Sequence, residues 1–117
     1  MIAFLVAIVL AQAPQPASPA PVAPQSEGKK LFAKAKCIKC HGEDGKGDTE
    51  KGRELKAPDF TGPDFQKETT DKEMAAGISN GVKDKKKKVL MPAYKNKLRK
   101  EDIQVLVRYV RSLGANR

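Results

Sequence analysis

Cys37-Ile38-Lys39-Cys40-His41 is the densest chemistry in the chain, and it uses both cysteines and the single histidine of the 117 residues. Two thiols separated by two residues at a helix end reach the two vinyl groups along one side of a porphyrin. The adjacent imidazole then presents a ring nitrogen to the iron, so Cys-x-x-Cys-His reads as a haem c attachment motif. Competing uses of these residues are weaker. A structural zinc site normally takes four Cys or His ligands, and this sequence supplies three. A disulfide or a thioredoxin-like redox pair between Cys37 and Cys40 normally sits beside a βαβ pattern, whereas no stretch here alternates like a strand.

With no second histidine, the opposite face of the iron takes a methionine, another donor, water or nothing. Of the three methionines, Met1 lies in an apolar leader and Met74 falls on the apolar side of a predicted helix, where it reads as a core filler. Met91 stands in a loop and precedes Pro92. Proline restricts the residue before it to extended geometry and removes a donor, which suits a strand of loop running along a haem face. Met91 is therefore the candidate sixth ligand, with ordinary loop packing as its alternative.

The elements that must position these residues follow from pattern. Ile2 to Ala11 is an uninterrupted apolar run followed by small residues, which reads as a signal peptide over 1–11, with cleavage as late as 13. No Lys or Arg precedes the run, a departure that leaves a start further upstream open. The alternative is an uncleaved anchor, although ten apolar residues fall short of the ~20 that span a bilayer. Residues 12–25 alternate Pro with Ala, Gln, Ser and Val, a linker composition that buries no core. The folded part is expected over 26–117 as a single domain. Ser26 is positioned to cap a first helix carrying Gly28, Leu31, Phe32 and Ala35. Residues 42–69, punctuated by Gly and Pro, read as a long ordered loop. Thr70 to Glu73 forms a capping box for a second helix that Asn80-Gly81 ends. Ile103, Leu106, Val107, Val110 and Leu113 mark the buried stripe of a terminal helix. The fold class is all-α, with three or more short helices and long loops around one haem.

Taken together, the residues from Gly28 to Leu113 resemble a class I c-type cytochrome of the small bacterial monohaem kind. The matching pieces are Gly28-Lys-Lys-Leu-Phe32, Cys37 to Gly42, Asp44-Gly-Lys-Gly-Asp48, Ala57-Pro-Asp-Phe-Thr61, Met91-Pro-Ala-Tyr94 and Leu106 to Leu113. The resemblance implies that the first and last helices meet through Gly28 and Phe32 against Leu106 and Tyr109. It also implies that the carbonyl or ring of Pro58 fixes the orientation of His41. Two features depart from the family pattern. Arg99 stands where Ser or Thr usually caps the terminal helix, a loss of ~1 kcal/mol. The segment between Phe32 and Cys37 is one residue longer than in many relatives.

An iron held by His41 and Met91 has no open position, which favours outer-sphere electron transfer over catalysis. The expected function is an electron carrier, not an enzyme, with one covalent haem c and no small-molecule substrate. A fixed subunit of a larger oxidoreductase and a gas-ligand sensor are the alternatives. The formal charge of +9 is concentrated in Lys83 to Lys88 and in Lys95, Lys97, Arg99 and Lys100, which offers a basic face to redox partners with acidic docking surfaces. The alternative is a solvated, solubilising surface. Without interleaved aromatic residues the lysine run lacks the stacking platform of a nucleic-acid site. The protein is expected in the bacterial periplasm or cell envelope, touching the membrane only through partner complexes or an uncleaved N-terminus.

Overall fold

The computed structural model describes Ala3 and residues 25–115. The predicted leader and nearly all of the predicted linker lie outside the described residues. The order is α1 (Gln25–Lys34), α2 (Ile38–His41), α3 (Glu50–Leu55), α4 (Pro63–Glu68), α5 (Asp71–Asn80), β1 (Val82–Lys83), β2 (Val89–Met91) and α6 (Lys100–Ala115). The helical class expected from sequence is the observed one.

Helix α6 is the spine. Its spacing of apolar residues buries Ile103, Leu106, Val107, Tyr109 and Val110 on one side, and α1, α4 and α5 pack along it. Leu106 is 1% exposed, so its truncation to Ala costs about 3 kcal/mol. The contact with α1 is close because Gly28 has no side chain: a Cβ there would lie 2.6 Å from Tyr109 Cβ. The Phe32 and Tyr109 rings meet at 5.2 Å, tilted by 60°, within the range where aromatic pairs attract. The α1–α6 contact implied by the family resemblance is thus present.

At the start of α6, Arg99 offers no capping hydroxyl, but Asp102 supplies half of a capping box. Its carboxylate accepts the Arg99 backbone N–H at 3.0 Å and binds the guanidinium at 3.1 and 3.2 Å. The Thr70–Glu73 capping box of α5 forms in full, and Gly81 ends that helix at φ 76°.

Three details differ from the sequence reading. The first helix begins at Gln25, so Ser26 lies within its first turn instead of ahead of it. The expected loop over 42–69 contains α3 and α4, each only six residues long. Such helices are too short to show a period and are made by local chemistry: Thr49 caps α3 through Gly52 N–H, and Pro63 opens α4. Finally, β1 and β2 form an antiparallel pair with an irregular register. Two and three residues are too few to display alternation. The pair is set by its turn, where Asp84 Oδ1 accepts the N–H groups of Lys86 and Lys88 at 2.8 and 2.9 Å.

Candidate functional site

Helix α1 ends just ahead of the cysteines, and the way it ends aims them. Lys36 takes the left-handed conformation at φ 63°. Its N–H donates to Ala33 O, while Cys37 N–H donates to Phe32 O at 3.0 Å. This paired arrangement is a Schellman turn, here with lysine where glycine is usual. Cys37 then starts α2, and His41 N–H returns to Cys37 O at 2.9 Å, which sets both thiols and the imidazole on one short helical turn.

The outside of that turn is fixed by α3. Thr49 Oγ1 lies 2.8 Å from Lys39 O and 3.1 Å from Cys40 O, and it accepts Gly52 N–H at 2.8 Å. A Cβ at Gly52 would stand 2.1 Å from Cys40 O, so only glycine allows this approach. From the other side Gly47 N–H donates to His41 O at 2.8 Å.

Cys37, Cys40, His41 and Met91 all border one cleft of about 270 Å³, whose walls also include Phe32, Leu55, Ile78, Leu90, Leu106 and Val110. Burial pushes the Cys37 thiol up to about 11, so it is neutral at physiological pH. Burial lowers the His41 imidazole to about 4, which leaves its ring neutral and a nitrogen lone pair available. His41 is 8% exposed, and its ring stacks on Phe60 with centroids 4.3 Å apart. Its Nδ1 has no hydrogen-bond partner among the described residues.

This donor set fits a haem c. The cleft is apolar, both thiols reach it, and an imidazole and thioethers face it together. An isolated buried nitrogen costs ~1–3 kcal/mol, so a ring in this setting is stabilised by any group that engages it. Of the Pro58 role implied by the family resemblance, the carbonyl bond is absent among the described residues. Pro58 borders the same cleft as His41, and Phe60 stacks on the imidazole.

Met91 reaches the cleft from β2, partly buried and packed against the core. The strand is seated at its base by Gly81, where a Cβ would lie 2.6 Å from Met91 O. Met74 also borders the cleft from α5, 7% exposed within the core. Met74 is thus buried in the core, as its sequence position implied, and lines the cleft that the same position did not reveal. Helix α5 lays its apolar side along the same cavity, so a core methionine there is also a wall residue.

Phe60 and Thr49 are the contributors that sequence reasoning missed. Phe60 is the lone aromatic between His41 and Pro63, directly after Pro58-Asp59, and that isolation was its signal. Thr49 gave no comparable sign, because its role depends on carbonyls nine and ten residues away.

Comparison with known proteins agrees with this geometry. The sequence profile of the Cytochrome c family matches residues 25–114. Among solved structures, the KustC0563 c-type cytochrome superposes with a TM-score of 0.63 at 32% identity, covering 74% of this chain and 95% of its own. A mutant of Kustc0563 gives the same TM-score at 33% identity, with 74% and 98% coverage. Curated proteins gave no match. With the profile spanning nearly all of the described residues, the chain belongs to the cytochrome c family, as a class I c-type cytochrome with one covalently bound haem c.

Proposed function

We propose that Cys37 and Cys40 hold the haem through thioether bonds, that His41 and Met91 ligate its iron, and that the protein shuttles single electrons between redox proteins. Haem-based electron transfer is the activity of the family. The finer reading is carried by one observation: two thiols, a neutral imidazole and a methionine share one apolar cleft. Cys37 and Cys40 would each add S–H across a vinyl double bond of the haem, so no atom would be lost and no oxidant needed. The haem supplies the one-electron couple. The chain's part is to attach it, exclude water with Phe60 and Leu106, and keep the imidazole neutral and oriented. Ligation by a methionine and a dry cleft favour the reduced state and raise the potential.

Met91 is preferred over Met74 because it lies on a strand end ahead of Pro92, whereas Met74 is fixed within the core side of α5. A reduced and oxidised optical spectrum with added CO tests the choice. Met91→Ala is expected to lower the potential and admit CO, and Met74→Ala to cost ~2–4 kcal/mol of stability with the site still closed. The opposite pattern would make Met74 the ligand. Haem that leaves the unmutated chain in acidified organic solvent would end the thioether assignment.

The lysines of the hairpin, with Lys36 at the cleft wall, suit partners with acidic docking surfaces. Electron transfer to an acidic acceptor should slow steeply with salt, and less steeply once Lys85 to Lys88 are changed to Gln. Equal slopes would leave these lysines as a solubilising surface. We assign the protein to the bacterial periplasm or cell envelope on the strength of its apolar N-terminal run. Among the described residues no helix is long and apolar enough to cross a membrane. N-terminal sequencing of the mature protein is expected to start at Gln12, and an intact Met1 would show that the leader is retained.

A further inference from the structure

Tyr94 sits three residues beyond Met91 and is tied to two separate parts of the molecule. Its backbone N–H donates to Ile78 O at 2.9 Å, and the next residue, Lys95, donates to Ser79 O at 3.1 Å. These bonds hold the segment to the end of α5. Its side chain points the other way, borders the cleft, and donates its hydroxyl to Ala35 O at 2.9 Å across 59 residues of sequence. Ala35 follows the last residue of α1 and lies two residues before Cys37, inside the turn that aims the cysteines. Carbonyls at a helix end have no partner of their own within the helix, so the phenol satisfies a group that the fold otherwise leaves to solvent.

We infer that Tyr94 is a positioning residue, a latch that fastens the methionine-bearing segment directly to the cysteine-bearing turn and so keeps Met91 over the cleft. The inference rests on Met91 being the iron ligand.

Between Met91 and Tyr94 only Pro92 and Ala93 intervene, both exposed. The segment is thus fixed at one end by the β1 pairing and Gly81, and at the other by the Tyr94 side chain and its backbone bond. No other side-chain hydrogen bond among the described residues joins residues 91–98 to the turn at 35–37. Burial raises the Tyr94 phenol above its ordinary value, so it remains a donor at neutral pH. Withdrawing Met91 from the cleft requires the segment to lift, and the bond to Ala35 opposes that movement. A neutral hydrogen bond of this kind is worth ~1 kcal/mol, about five-fold in an equilibrium constant.

The test uses the ferric holoprotein and imidazole, a probe that must displace the sixth ligand to bind. Tyr94→Phe removes only the hydroxyl. It is expected to tighten imidazole binding about five-fold and to speed amide exchange at residues 90–95, while the haem remains attached. In a Met91→Ala background the same change should leave imidazole affinity within two-fold, because no ligand remains to be held. A lower melting temperature with unchanged imidazole affinity would show a purely structural bond and overturn the latch. A five-fold effect that persists in the Met91→Ala background would overturn it too, since it would not act through Met91. Should Met91→Ala itself fail to tighten imidazole binding, the ligand assignment falls and the latch with it. If Met91→Ala tightens binding and Tyr94→Phe does not, the latch falls alone.

Discussion

The two walls of the cleft are built by different means. On the cysteine side, α2 and the segment leading into α3 meet at the backbone: Gly52 lies against Cys40 O, Gly47 donates to His41 O, and the Thr49 side chain bridges consecutive carbonyls. On the methionine side, a short hairpin with an irregular register carries Met91, and its turn is organised by a single carboxylate, Asp84, among five lysines. Val82 and Val89 on that hairpin are 42% and 52% exposed. One wall is rigid because there is no room to move, the other because a few polar bonds have not broken. A covalent attachment suits the first, and an exchangeable ligand suits the second.

The sharpest way to break this contrast is to add one carbon to the rigid wall. Gly52→Ala places a Cβ against Cys40 O, and relief requires α3 to shift as a whole. The expected loss is about 3 kcal/mol of global stability, measured by urea unfolding of the holoprotein. A loss below about 1 kcal/mol would mean that the cysteine wall yields as easily as the hairpin.

Asp84→Ala probes the other wall. It removes the acceptor for two backbone N–H groups and the one negative charge within the lysine run. Amide exchange at residues 83–90 should accelerate about ten-fold, equivalent to ~1.4 kcal/mol of local opening, while residues 37–41 stay protected. Matching acceleration in both regions would show that the walls open together.

The smallest effect is expected far from the cleft. The Arg99 side chain, assisted by its backbone N–H, holds the Asp102 carboxyl below its ordinary value of 3.8. A carboxyl lowered in the folded state contributes stability above that ordinary value, and loses it as pH falls through the lower folded-state value. Asp102→Asn should therefore be slightly less stable than the unmodified protein at pH 7, with the gap closing below pH 3.8. A gap that persists in acid would assign the effect to packing instead of charge.

What the sequence revealed follows the range of each interaction. The cysteine motif is contiguous, the α6 stripe repeats with the helical period, and the Thr70 capping box spans four residues, so all three were legible without coordinates. The helices α3 and α4 were not, because six residues contain less than two turns and their caps resemble ordinary loop chemistry. Phe60 against His41 and Tyr94 against Ala35 depend on how distant segments are brought together. Met74 shows the same limit from the opposite direction. Its helical period correctly identified a buried side, but period alone does not say that the buried side faces a cavity.

The pairing of Gly28 and Phe32 with Tyr109 bears on how the ends of the fold are held. The partners stand some eighty residues apart, so the contact closes a loop that spans nearly all of the described residues. Closing so long a loop costs chain entropy that the packing of the two helices must offset. Phe32 is at once part of that closure and part of the cleft wall. The seam between the two ends of the fold is therefore also the back of the site, and loosening either end loosens the wall behind the cysteine turn.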